Sequence, residues 1–218
     1  MLAAIRPSSL LAQVSKSASR VGSIPFTRAF TTTPSAQQRH PRPACDPTYP
    51  FPLYLHHLPD TTTTVPSPDF ALSFLPTAPH NHQVIGYLKH TLPERDLPNL
   101  REGEPLIKPN MFTENEAFNK VLHDVIKRHL ADDPMVDSVL QQQLEGWTHV
   151  ADLRNPAPYG RIPLPEDIFG SVQIVEGVIK PETYQRMPTH RIVSSCGLFQ
   201  LSDFLHQKLV EHLQELSL

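Results

Sequence analysis

The stretch TENEAFNKVLHDVIKRHL, residues 113–130, decides the fold class, because it is the first segment after the N-terminal region with a clear helical pattern. Thr113 and Glu116 fit a capping box, in which a Thr side chain and a Glu one turn later close the first turn of a helix. The apolar residues then recur at the spacing of one helical face. They are Phe118, Val121, Leu122, Val125, Ile126 and Leu130. This pattern predicts a helix with one buried face.

The sequence before this helix predicts strands. Three short apolar runs, residues 52–58, 69–75 and 83–89, are separated by prolines and polar residues. Proline removes a backbone donor and restricts its neighbour to extended conformations, so long helices are excluded from this part of the chain. The runs at 69–75 and 83–89 predict an antiparallel hairpin with a loose loop.

Two further helices are predicted from their caps. Asp133 followed by Pro134 is a typical helix start, and the apolar spacing continues to Leu144, with Gly146 at the position of a C-terminal glycine. Ser202 is predicted to cap a terminal helix with leucines along one side.

Strand patterns fill the region between these two helices. Turns are predicted at Glu176-Gly177 and Cys196-Gly197, and Trp147 is expected to anchor the core at the start of this block. The order of elements predicts an α+β fold: mainly antiparallel sheets, two central helices and a C-terminal helix, after a disordered N-terminal presequence.

The N-terminal region predicts a targeting signal. No acidic residue precedes Asp46, whereas five Arg and one Lys do, and such an acid-free, Arg- and Ser-rich start is typical of a mitochondrial presequence. The sequence RAFTTTPSAQ, residues 28–37, resembles the two-step matrix cleavage signal and implies a final cut after Gln37. A single cut near Phe30 is the simpler variant, and a basic tail that binds RNA or acidic lipid is the alternative.

We therefore expect a presequence at 1–37, a linker at 38–50 and a single α+β domain at 51–218, located in the mitochondrial matrix. The net charge is −3 at pH 7, and removal of residues 1–37 takes away only positive charge. An acidic mature chain favours no nucleic-acid partner, since phosphate contacts dominate such binding. No apolar run is long enough for a membrane span, so no transmembrane segment is expected.

No catalytic, metal or cofactor pattern emerges. The 12 histidines lack metal-ligand spacing, since for example His123 and His129 point to different sides of the predicted helix. His149 and Asp152 lie three apart on a predicted strand and face opposite sides. Cys196 is a candidate nucleophile, with an inert, half-buried cysteine as the alternative. We expect no catalytic residues, no metal and no cofactor.

The segment RNPAPYGRIPLPEDIFG, residues 154–170, predicts a long loop punctuated by Pro and Gly. Loops of this length are usually binding loops or lids. Together with nearby basic residues it predicts an anion-binding or partner-docking surface, and salt bridges that hold the loop on the sheet are the alternative. The candidate residues are Arg154, Tyr159, Arg161, Arg186, His190 and Arg191.

Two resemblances bear on the family. Residues 146–172 and 181–201, with FALSFL at 70–75 and VIGYL at 84–88, resemble an uncharacterised fungal family of mitochondrial proteins, which carries no catalytic assignment. Residues 84–150 are similar to the N-terminal accessory domain of thiamine-pyrophosphokinase-related Nudix hydrolases. The Nudix box is missing, and Thr148-His149-Val150 replaces the Arg-Asn-Glu of that family, so the resemblance implies the accessory fold without hydrolase activity.

These patterns predict a non-catalytic accessory or assembly factor of the mitochondrial matrix that binds a protein partner. The absence of catalytic constellations, the long loop and the amphipathic terminal helix carry this expectation. The alternative is a small enzyme or an anionic-ligand-binding protein that uses the surface from Arg154 to Arg191.

Overall fold

The structure is a computed structural model that describes residues 42–43, 46, 48–58, 68–89, 104–158 and 161–216. The chain divides into two units, Met1–Gln37 and Gln38–Leu218, and every described residue belongs to the second. The predicted presequence and its cleavage signal therefore lie outside the described residues. Within the described part, antiparallel sheets combine with two central helices and a C-terminal helix, so the predicted α+β class is confirmed.

Five strands form the first antiparallel sheet, in the order β1-β2-β3-β4-β5. The predicted hairpin is formed by β3 and β4, with Phe70 opposite Leu88. The strands are β1 Arg42–Pro43, β2 Tyr54–His57, β3 Phe70–Ser73, β4 Val84–Leu88 and β5 Phe112–Glu114.

Part of the segment predicted as a linker packs onto this unit. β1 pairs with β2, and Asp46 is buried. The Asp46 carboxylate accepts hydrogen bonds from the backbone N–H groups of Leu106 and Ile107 at 3.1 and 3.3 Å. A buried carboxylate needs such donors because it has lost its water, so Asp46 fixes the path of the chain that leads into β5.

The first helix, α1 Glu116–His129, begins two residues later than the capping box implied. Thr113 lies in β5 opposite Tyr87 of β4, so its backbone is committed to the sheet. Asn115 is the N-cap instead: its side chain accepts from the Ala117 N–H and donates to the carbonyl oxygens of Asn81 and Val84. The predicted capping box is therefore wrong, because one Asn caps the helix and ties it to β4.

The second helix, α2 Pro134–Leu140, is capped by Asp133 as predicted, since the Asp133 side chain accepts from the Met135 N–H. The helix does not extend to Leu144. Gly146, with φ of 107°, opens a strand and pairs with Ile174, so it is not a helix C-terminal glycine.

The second sheet contains β6 Gly146–Ala151, β7 Ile168–Val175 and β8 Val178–Arg186, in that order. Glu176 and Gly177 both have positive φ, 54° and 71°, as a type I′ hairpin turn requires. The predicted turn is confirmed. Trp147 is 48% exposed and lies opposite Gln173, so the prediction that it anchors the core is wrong: alternation along β6 places it on the outer face.

The last hairpin and helix follow directly. β9 Val193–Ser194 pairs with β10 Gly197–Leu198, which places the turn at Ser195-Cys196, one residue before the predicted position. Cys196 is exposed, not half-buried. Ser202 caps α3 Asp203–Glu215 as predicted, through a bond from the Leu205 N–H.

The main core joins both sheets and two helices through aromatic rings. Phe199, which follows β10 and is fully buried, lies 6.0–6.1 Å from the rings of Phe74, Phe118 and Phe169. These three rings come from the chain after β3, from α1 and from β7 respectively. Phe199 therefore packs against the first sheet, the helix layer and the second sheet at once.

Candidate functional site

The connection from β6 to β7, residues 152–167, is a loop whose two ends meet. The Asp152 N–H donates to the carbonyl oxygen of Asp167 at 2.8 Å, and β7 begins at Ile168, so the loop is shorter than the predicted 154–170. We call residues 152–167 the pinned loop. Its structure is described except for Tyr159 and Gly160, so the candidate residue Tyr159 lies outside the described residues.

Arg154 holds the base of the pinned loop. Its side chain is 2% exposed, and a guanidinium offers five N–H donors. All five are used at distances of 2.7–3.2 Å, so Arg154 has no donor left for an anionic ligand. The acceptors are the Asp167 carboxylate and the carbonyl oxygens of Glu166, Arg191, Ile192 and Gly197.

Two buried carboxylates balance this guanidinium. Asp152 and Asp167 are 0% and 1% exposed, and Arg154 Nε lies 3.4 Å from Asp152 Oδ2 and 3.0 Å from Asp167 Oδ1. Asp152 also accepts from the backbone N–H groups of Arg154 and Gln200, and Asp167 from the Asn155 side chain. A buried ion pair is tolerated when the remaining lone pairs are hydrogen-bonded in this way.

His190 completes the network from the other side. Its Nε2 lies 3.1 Å from Asp152 Oδ2, and because an ionised carboxylate only accepts, Nε2 donates. The lone pair of a neutral His190 is then on Nδ1, which is buried without a hydrogen-bond partner in the described structure. An Asp-oriented imidazole is the arrangement of a general base. The His190 side chain is 1% exposed, so a substrate cannot reach it in this conformation.

A second buried pair lies beside His190. His123 Nδ1 is 2.8 Å from the Tyr184 hydroxyl, and the His123 and His190 rings lie 6.2 Å apart and perpendicular. Burial, with smaller effects of Arg186 and His190, lowers the pKa of His123 from 6.5 to about 3. His123 is therefore neutral in the folded protein, and its protonation in the unfolded chain destabilises the fold as the pH falls below 6.5.

Residues 161–164 of the pinned loop, which we call its tip, have the opposite character. Ile162 and Leu164 are 73% and 56% exposed, and Arg161 is exposed beside them. Each of these two apolar residues precedes a proline, which favours extended backbone, and Leu164 has the polyproline II angles φ −62° and ψ 147°. The tip is an extended segment that holds two large aliphatic side chains in water.

The predicted site residues fall into separate places. Arg154 and His190 are inside, under the loop. Arg191 is exposed and flanks the end of the loop, where its N–H donates to the Glu166 carbonyl oxygen. Arg186 pairs with Glu116 of α1 at 2.9 Å. The structure thus brings Arg161 and Arg191 to the surface of the loop and its flank, and it does not gather the described candidates into one anion pocket.

Asp152, Asp167, Ile162 and Leu164 are not among the predicted site residues. The spacing of His149 and Asp152 predicts that they face opposite sides, and His149 bonds Ser171 whereas Asp152 bonds His190, 38 residues away. The consecutive X-Pro steps at Ile162 and Leu164 were the available signal for an extended tip.

The fold and site define an α+β protein whose pinned loop exposes two apolar side chains, Ile162 and Leu164. Scans against models of protein families, curated proteins and solved structures found no match to this chain. In the described ranges, no group of three or more His, Cys, Asp or Glu side chains is placed to hold a metal ion. None of the described helices is long and apolar enough to cross a membrane.

Proposed function

We propose that this chain is a non-catalytic accessory or assembly factor of the mitochondrial matrix that binds a protein partner through the tip of the pinned loop. The observation that carries the proposal is the exposure of Ile162 and Leu164, 73% and 56%, on a loop whose base is fixed by Arg154. Large apolar side chains held in water on a fixed scaffold are typical of interaction sites.

Pre-organisation supports the same function. Ordering a flexible loop on binding costs conformational entropy, and a loop already held in its bound shape avoids this cost. Here Pro163 and Pro165 restrict the tip and the Arg154 network closes the base. Arg161 and Arg191 add positive charge beside the tip, so the fitting partner has an apolar groove with acidic residues at its rim.

The alternative function is the binding of a small anionic ligand by Arg161 and Arg191. Their exposure supports it, but the N–H groups of Arg154 are already bonded to the protein. An exposed pair of arginines without a third buried donor binds anions weakly, because solvent screens the attraction. The protein partner is therefore the better fit.

We expect the double variant Ile162→Asp/Leu164→Asp to lose the partner while remaining folded. Burial of each aliphatic side chain contributes about 1.5–3 kcal/mol, so the affinity should fall at least about 100-fold. The thermal midpoint should be nearly unchanged, since both side chains are exposed. The measurement compares proteins retained by the tagged full chain from isolated mitochondria, with binding of the retained partner then titrated in purified form.

Met135→Asp is the matched control, because Met135 is a 50% exposed apolar residue on another element, α2. It should retain the partner. Retention by the loop variant as strong as by the unaltered chain would refute the proposal. Loss of function in Arg161→Ala/Arg191→Ala, with full function in the loop variant, would favour the anionic ligand instead.

The location is tested separately. We expect chain recovered from isolated mitochondria to begin between Phe30 and Arg39, because the acid-free start and the RAFTTTPSAQ segment fit import and cleavage. N-terminal sequencing measures this directly. A chain that keeps Met1 or Leu2 inside the organelle would contradict the predicted presequence.

A further inference from the structure

The outer face of the second sheet exposes a second apolar surface, at the opposite end of β6 and β7 from the pinned loop. Trp147 lies opposite Gln173, and Val175 lies opposite Val178. Because directly paired residues and residues two apart on a strand share a face, Trp147, Val175 and Val178 are on one face. Trp147 and Val178 are 48% and 53% exposed.

Leu144 extends this surface at the hairpin end. The Gly177 N–H donates to the Leu144 carbonyl oxygen at 2.9 Å, and a Cβ on Gly177 would lie 3.3 Å from Leu144 Cδ2. The Leu144 side chain therefore lies over the turn beside Val178, and it is 65% exposed. We call Leu144, Trp147, Val175 and Val178 the Trp147 patch.

Two carboxylates border the same end of the patch. Glu145 and Glu176 are exposed, and the Glu176 N–H donates to Glu145 Oε1 at 2.8 Å, which places the two residues together. Neither forms an ion pair with another described residue. Lys180 lies opposite Gln173 and so shares a cross-strand row with Trp147, one row away from the Val175 and Val178 pair at the hairpin end. The hairpin end is therefore apolar with an acidic rim.

We propose that the Trp147 patch is a second docking surface, occupied by a segment of another protein with an apolar anchor and an adjacent Lys or Arg. The anchor covers Trp147 and Val178, and the basic side chain faces Glu145 and Glu176. Complementary charge at the rim selects such a segment. A second copy of this chain fits less well, because an isologous interface on this patch adds the carboxylates of both copies. With the loop tip, the patch makes the protein an adaptor with two binding surfaces.

Trp147 is the only tryptophan of the chain, so its fluorescence reports on this surface alone. The probe is a short synthetic peptide that alternates Leu and Lys, and the matched peptide has Glu in place of Lys. We expect the Leu/Lys peptide to shift the emission of the full chain to the blue in a saturable way, since it removes water from the indole. The Leu/Glu peptide should bind at least about tenfold more weakly, owing to repulsion at the rim.

The variant Glu145→Gln/Glu176→Asn removes both charges but keeps the structure, because Gln retains the accepting oxygen and Asn tolerates positive φ. It should weaken binding of the Leu/Lys peptide about tenfold. Val178→Ser should weaken binding of both peptides. Ile162→Asp/Leu164→Asp should bind the peptide like the unaltered chain, which separates this test from that of the loop. Equal binding of the two peptides, no shift, or a shift that depends only on protein concentration would overturn the proposal.

Discussion

Arg154→Ala is expected to lower the free energy of unfolding by about 3–5 kcal/mol, the cost of removing one partner from a buried ion pair. The substitution leaves the carboxylates of Asp152 and Asp167, 0% and 1% exposed, without the guanidinium between them. It also removes the guanidinium donor from four carbonyl oxygens, of which those of Glu166 and Ile192 still accept from the backbone N–H groups of Arg191 and Phe199. Urea titration followed by circular dichroism measures the change.

Two further substitutions at the same position identify the cause. Arg154→Met keeps most of the aliphatic stem and should lose nearly as much stability as Arg154→Ala, because the bonds and not the volume are responsible. Arg154→Lys should recover only part of it, since an ammonium has three donors and no planar fork. It also provides a folded variant if Arg154→Ala is too unstable to purify.

Arg186→Ala is the control. Its partner Glu116 is exposed, with side-chain exposures of 36% and 63% for the pair, and an exposed pair contributes about 0–1 kcal/mol. Equal losses for Arg154→Ala and Arg186→Ala would contradict a structural role for the buried network.

The Arg154→Lys variant links stability to the proposed function. If Arg154 positions the tip, Arg154→Lys should weaken partner binding under conditions in which it remains folded, although Arg154 contacts no partner. The pinned loop would then be mobile at its base, and the entropy of ordering it would oppose binding. In the proposed function, Arg154 is a positioning residue, whereas Ile162 and Leu164 are the contact residues.

Local signals predicted much of the fold. The Glu176-Gly177 turn, the caps at Asp133 and Ser202 and the β3–β4 hairpin depend on neighbours in sequence, and the structure confirms each of them. The capping box at Thr113 failed because pairing within the sheet competed with the local pattern there. Pairing with Tyr87 placed Thr113 in the sheet, and no local rule decides between a strand end and a helix cap.

The site was less predictable for a physical reason. The loop stands out by its proline content, but which arginine turns inward depends on contacts between residues far apart in sequence. Arg154 meets Ile192 and Gly197, 38 and 43 residues away. Trp147 shows the same limit: alternation gave the strand correctly, but only the sheet around it determines which face is covered.

Phe199→Ala is expected to destabilise the protein by about 3–5 kcal/mol, the typical cost of emptying a buried Phe site, and to do so in both sheets at once. Phe199 is fully buried among Phe74, Phe118 and Phe169, which belong to the first sheet region, α1 and β7. Trp147 emission follows the second sheet and far-ultraviolet circular dichroism follows the helices. In a two-state domain these probes have one midpoint, so both should move together to lower urea.

The control is Phe204→Ala, because Phe204 is half-buried at the start of α3 and should cost less. The prediction that residues 51–218 form one domain depends on the outcome. If the two midpoints separated in Phe199→Ala, the second sheet would unfold independently of the helices, and the pinned loop would then be anchored to a smaller unit. Coincident midpoints would mean that the ring cluster couples the loop's scaffold to the whole core, so that destabilising either sheet also loosens the surface proposed to bind the partner.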